Sequence, residues 1–139
     1  MQKKYLGNAI ETLVCRFLEA NGLACVKRNF SCRLGEIDLI MYEASSNSLV
    51  FIEVRFRANA KHGNATESVD WKKQRKLRRA VLYYLQKNAD ALTNARIDVI
   101  GVCNTDSIDK TMPLSANGVS QHYFKHHLIT WTRNAVEEL

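Results

Sequence analysis

Two carboxylates stand in a pattern that can do chemistry. Asp38 lies in Gly35-Glu36-Ile37-Asp38-Leu39-Ile40, and Glu53 lies in Val50-Phe51-Ile52-Glu53-Val54-Arg55. Both segments are apolar and rich in β-branched residues. The polar stretch Glu43 to Ser48 separates them, so they read as strands 35–42 and 49–57 of a hairpin. A hairpin symmetric about its loop sets Tyr42 against Leu49, Asp38 against Glu53 and Glu36 against Arg55. Directly opposed residues have Cβ atoms about 4.5–5.5 Å apart, where like charges repel. A shared proton, a nearby Arg or Lys, or a divalent cation would each offset that repulsion. Mg²⁺ typically takes one or two carboxylates plus waters and phosphate oxygens. A surface pair of charges in a slipped register is the plainer alternative.

The elements that must position these residues follow from periodicity. In a strand, residues two apart share a face. Val50, Ile52, Val54 and Phe56 then face one way, and Phe51, Glu53, Arg55 and Arg57 the other. Ile37, Leu39 and Met41 share one face, Glu36 and Asp38 the opposite one. Residues 3–21 read as a helix, with Leu6, Ile10, Leu13, Val14, Phe17 and Leu18 at helical spacing and Gly22 at its end. Residues 23–29 read as a strand and 58–67 as a loop containing His62-Gly63. A second helix is expected from Val69 to Asn88 with Ser68 as N-cap. On it, Lys73 and Gln74 extend the stripe of Leu77, Ala80, Val81 and Tyr84, so they look toward the sheet. Lys73 alternatively snorkels off the end of that stripe. Residues 95–103 read as a strand, 104–118 as loop, 119–130 as a last strand or irregular piece, and Trp131 to Leu139 as a terminal helix. The order α-β-β-β-α-β implies an α/β fold with a mixed central sheet flanked by helices, one domain over 1–139.

Composition narrows the function. The chain has 139 residues, 46% hydrophobic and 24% charged, which fits a soluble globular protein and excludes bulk disorder. No apolar run approaches the roughly 20 residues of a membrane span. The start, Met1 to Tyr5, leads into an amphipathic pattern, so no signal peptide is expected. Cys15, Cys25, Cys32 and Cys103 have no Cys-x-x-Cys spacing and read as reduced thiols of a cytoplasmic protein. Net charge is +6, and residues 53–79 carry the whole excess, with nine basic against three acidic residues. Positive charge gathered in one block is the footprint of a polyanion, usually nucleic acid, unless it is only a solvated helix face.

A resemblance covers most of the chain. It begins with Gly7-x-x-x-Glu11 and Arg28-Asn29-Phe30 and continues through the Gly-Glu-Ile-Asp and Phe-Ile-Glu-Val-Arg blocks. It runs on through Ser68-Val69, Lys73-Gln74-x-Lys76-Leu77 and Arg96-Ile97-Asp98-Val99, and ends weakly with Asn134-Ala135. On these motifs the sequence resembles the YraN family of small bacterial proteins. That family is similar in fold to the PD-(D/E)xK, or restriction-endonuclease-like, nucleases and especially to archaeal-type Holliday junction resolvases. The resemblance implies a metal-dependent endonuclease hydrolysing phosphodiester bonds of DNA, branched or damaged DNA included. Asp38 and Glu53 would hold Mg²⁺ or Mn²⁺, the Val54 carbonyl would contribute, and Glu11 would join through metal or water. The third motif position, usually Lys, is Arg55. An Arg stays charged and cannot be a general base, but it can neutralise the attacked phosphate. Lys73 is the candidate for part of the missing Lys role. Arg57, Lys61, Lys72, Lys73, Gln74, Arg75, Lys76, Arg78 and Arg79 are the expected nucleic-acid-binding residues, giving affinity through flanking phosphates.

Other features carry less. His122 and His126 are four apart, a zinc-like spacing only if that segment is helical. Trp71 and Trp131 are expected as packing residues rather than base-stacking ones. A nuclease-fold protein that binds nucleic acid without cleaving it is the second reading, because of Arg55. A protein-interaction module docking an acidic partner is the third. A homodimer is an expectation from the resolvase likeness, since a four-way junction has two strands to cut.

Overall fold

The computed structural model describes residues 2–57, 70–88, 92–104 and 115–136. Helix α1 (Gln2–Ala20) leads into strands β1 (Leu23–Cys32), β2 (Gly35–Glu43) and β3 (Ser48–Arg57), with a 3₁₀ turn at Ala44–Ser46. Helix α2 (Trp71–Asn88) is followed by β4 (Asn94–Asn104), β5 (Ser115–Ala116), β6 (Val119–Phe124) and β7 (His127–Thr132). The strands form one sheet in the order β1-β2-β3-β4-β7-β6-β5. All neighbours are antiparallel except β3 and β4. Parallel neighbours need a crossover connection, and α2 lies within it. The expected mixed sheet with flanking helices is the observed architecture. No helix among the described residues is long and apolar enough to cross a membrane.

Both faces of the sheet are covered. Ile10, Val14, Phe17 and Leu18 of α1 pack on Leu39, Met41, Val50, Ile52, Ile100 and Trp131. Leu77, Ala80, Val81 and Tyr84 of α2 pack on Ile37, Ile40, Phe51 and Ile97. Burial on two sides explains why β3 and β4 read as nearly continuous apolar runs. It also corrects one expectation. Ile37 does not share a face with Leu39 and Met41 but joins the α2 side with Ile40. Strict alternation fails at Asp38, where β2 leaves its partner strand.

Three further expectations change. The first strand continues to Cys32, with a bulge between Cys25 and Lys27 and Asn29 at φ 54°. Helix α2 starts at Trp71, and its cap is Asp70, whose Oδ1 accepts the Lys73 N–H at 2.8 Å; Ser68 and Val69 lie outside the described residues. The terminal helix is absent over 131–136. Trp131 pairs with Ile100 and Ser120 inside the sheet. The Asn134 N–H donates to Asp98 at 2.9 Å and the Ala135 N–H to the Ile97 carbonyl at 2.8 Å. Donors that would open a helix are spent on β4. The 119–130 segment is a hairpin, turned by Lys125 and His126, both at positive φ. Two consecutive positive φ values match the right-handed strand twist.

Asp98 anchors this end of the sheet. It is fully buried. It accepts from Trp131 Nε1 at 2.9 Å and from Arg96 Nε at 3.0 Å. Arg96 also grips Glu43 with two donors, at 2.8 and 3.3 Å. A buried charge is tolerated only when paired and hydrogen-bonded, and here the partners come from β4, from β7 and from the turn that follows β7.

Candidate active site

The β2–β3 ladder runs from Glu43↔Ser48 through Tyr42↔Leu49 to Leu39↔Ile52 and stops there. Asp38 and Glu53 are the next residues, at the mouth where the strands part. β3 continues beside β4 as far as Arg57↔Cys103. The Val54 N–H therefore still points toward β2, and it donates to Asp38 Oδ2 at 2.8 Å. A carboxylate takes the place of a ladder carbonyl.

Glu53 points to the α2 side and is buried. Its Oε1 lies 3.5 Å from Lys73 Nζ and 3.4 Å from Arg55 Nη2. The Asp38 and Glu53 carboxyls are within hydrogen-bonding reach of each other. Burial and the Asp38 charge push Glu53 up to about 7, against the pull of Lys73 and Arg55. Asp38 is also raised by burial, although the Val54 N–H and Lys73 oppose it. Glu11, on α1, is raised by burial and then by the Asp38 charge. Its Oε1 is buried with no hydrogen-bond partner. Burial is thus the first cause that raises each of the three carboxyls, and Arg28, Lys73 and Arg55 only partly offset it.

Glycine makes the approach of α2 possible. A Cβ on Gly35 would stand 3.1 Å from the Lys76 backbone carbonyl oxygen and 3.6 Å from Ala80 Cβ. Without a side chain there, the first turns of α2 settle on the start of β2 and Lys73 reaches Glu53. On the other side, Arg28 Nη2 donates to Thr12 Oγ1 at 2.8 Å, tying β1 to α1 beside Glu11. Between α1, β1 and β2 opens a cavity of about 480 Å³ lined by Gly7, Asn8, Glu11, Asn29, Glu36 and Asp38, among others.

The donor set is all oxygen, which suits a hard cation such as Mg²⁺ or Mn²⁺. The orphaned Glu11 oxygen and the repelling Asp38–Glu53 pair both fit a cation. Among the described residues no three His, Cys, Asp or Glu side chains form a group that could hold a metal. Asp38 and Glu53 would therefore hold it with water and substrate oxygens completing the shell.

The structure brings Glu11, Asp38, Glu53, Val54, Arg55 and Lys73 to one end of the sheet. Lys72, Arg75, Lys76 and Arg79 are exposed on α2, as expected. Arg78 is not fully outward: it is half-buried, with Nε enclosed. Gln74 is half-buried beside Lys73, and Arg57 is half-buried at the end of β3. Lys61 and His62-Gly63 lie outside the described residues. Trp131 is a core residue, but Trp71 is 65% exposed, contrary to its expected packing role. His122 is on a strand, against Phe17 and Trp131 and hydrogen-bonded to Ser120 at 2.8 Å, while His126 is in the turn. The helical zinc spacing does not exist. The Arg28 tether and the Gly35 contact were not assigned in the sequence, although both residues stand inside its motifs.

Comparison with known proteins agrees with these motifs. The model of the uncharacterised protein family UPF0102 matches residues 10–102, which span the carboxylates, α2 and most of β4. A UPF0102 protein of Photobacterium profundum is 42% identical over 108 residues, covering 76% of this chain and 85% of that one. One from Nitrosococcus oceani is 43% identical over 107 residues, with the same coverage. One from a Marinomonas species is 47% identical over 94 residues, 68% of this chain and 72% of its own. With a family match across two thirds of its length and relatives this similar, the chain belongs to the UPF0102 (YraN) family.

Proposed function

We propose that this protein is a metal-dependent nuclease that hydrolyses phosphodiester bonds of DNA. The observation that carries the reading is the Asp38–Glu53 pair, half-buried Asp38 against buried Glu53, in hydrogen-bonding reach of each other and faced by Lys73 and Arg55. The run β1-β2-β3-α2-β4, antiparallel and then parallel, supports a restriction-endonuclease-like fold. A bound Mg²⁺ or Mn²⁺ would lower the pKa of its water and polarise the phosphate. Asp38 and Glu53 would hold it, and the Val54 N–H fixes the Asp38 carboxylate for that purpose. Glu11 would orient a water of the shell. Arg55 and Lys73, each resting on Glu53 in the free protein, would turn to the scissile phosphate and stabilise its growing charge. The exposed cations of α2 would hold flanking phosphates.

Arg55 supports a second reading, a nucleic-acid binder without cleavage, since a guanidinium cannot act as a base. Labelled single-stranded, duplex, flap and four-way-junction DNA, with Mg²⁺, Mn²⁺ or EDTA, separates the two. Metal-dependent cutting lost in both Asp38→Ala and Glu53→Ala is the expected result. Salt-sensitive binding with no cutting under any metal would replace the nuclease reading with the binding one.

A further inference from the structure

The first turn of α2 holds an aromatic ring that hydrolysis does not use. Trp71 is the most exposed aromatic side chain among the described residues, at 65%, whereas Trp131 is 1% exposed. Leaving a large apolar side chain in water forgoes the gain of burying it. The Arg75 guanidinium, one turn on, lies 5.5 Å from the ring centroid. That contact steadies the ring without covering both of its faces. Lys73, two residues along, reaches Glu53. The exposed cations Lys72, Arg75, Lys76 and Arg79 surround this turn. An open aromatic face set in a track of positive charge is how single-stranded nucleic acid is held: cations follow the backbone while bases stack on the ring. Bases inside a continuous duplex have both faces covered and cannot use such a ring.

We propose that Trp71, braced by Arg75, is a stacking platform for an unpaired nucleobase beside the phosphate held at the Glu53–Lys73 end of the sheet. The proposal rests on the nucleic-acid reading of that site and adds its substrate form: a single strand, flap or frayed end in preference to continuous duplex.

The test is binding of the full chain in EDTA, where metal-dependent cutting is off, read by fluorescence anisotropy. The probes are a labelled single strand, the same strand with one run of abasic sites, and the blunt duplex. Trp71→Ala is expected to weaken the single strand about 5- to 100-fold, the range of one lost stacking contact. It should leave the duplex within twofold, and Trp71→Phe should retain most of the affinity. The salt dependence should not change, because no phosphate contact is lost. Wild-type binding should also drop on the abasic strand. Equal effects of Trp71→Ala on single strand and duplex, or none on either, would overturn the platform. Cleavage measured in parallel keeps the two readings apart. Wild-type cutting with an indifferent Trp71→Ala refutes only the platform. A selective Trp71→Ala loss without any cutting refutes only the hydrolytic reading. No binding to any probe refutes the platform, and no cutting beside it refutes both.

Discussion

Glu53→Gln should make the metal-free protein more stable while removing the proposed metal-dependent activity. Burial and Asp38 raise Glu53 from 4.5 to about 7. A carboxyl raised on folding favours its neutral form in the folded state. Its contribution is therefore fully present below pH 4.5 and lost as pH rises through about 7. At 1.36 kcal/mol per pH unit, the ionised group costs the fold about 3 kcal/mol at pH 8. The side chain is only 5% exposed, so solvent does little to screen that cost. Glutamine has nearly the same shape and no charge, although it forfeits the ionic contacts to Lys73 and Arg55. The net gain at pH 8 should be on the order of 1–3 kcal/mol, with almost none at pH 5. Urea denaturation in EDTA at both pH values measures it. On the proposed function, Mg²⁺ should narrow the gap at pH 8 by stabilising the wild type alone, since it would bind the folded carboxylates. A variant less stable than wild type at pH 8, or a gain of equal size at pH 5, would refute the reasoning. The pair would then be satisfied by its cations and would need no metal.

Two other perturbations test how the site is built. Gly35→Ala sets a methyl 3.1 Å from the Lys76 carbonyl, a backbone atom that cannot swing away. It should cost about 1–3 kcal/mol in urea unfolding and reduce cleavage by moving Lys73 off Glu53. Asp98→Ala leaves Arg96 without its buried partner and should cost about 3–5 kcal/mol; Asp98→Asn, which keeps an acceptor for Trp131, should cost clearly less. Equal losses for the two Asp98 variants in the same denaturation experiment would show that charge, not hydrogen bonding, dominates there.

Much of the site was legible because it is local. The symmetric hairpin predicts the Tyr42↔Leu49 register, and the ladder has it. Helical spacing turns Lys73 toward the sheet, and its Nζ lies 3.5 Å from Glu53. Each inference needs only one element's periodicity and its neighbour's loop. What only tertiary structure decided is non-local. Ile37 changes face because β2 leaves β3 at Asp38, an event set by the Val54 N–H sixteen residues away. Trp131 becomes a buried strand residue because Asp98 accepts its indole N–H and Ile100 pairs with it. A short amphipathic segment fits helix or strand equally well until a partner supplies the hydrogen bonds. Asn117-Gly118, a strong local hairpin signal, joins β5 to β6, inside a stretch that composition alone reads as loop. The raised proton affinity of Glu11, Asp38 and Glu53 is likewise a property of burial. Three acids on three elements are ordinary in sequence, and their proton affinities rise only when folding removes water from around them.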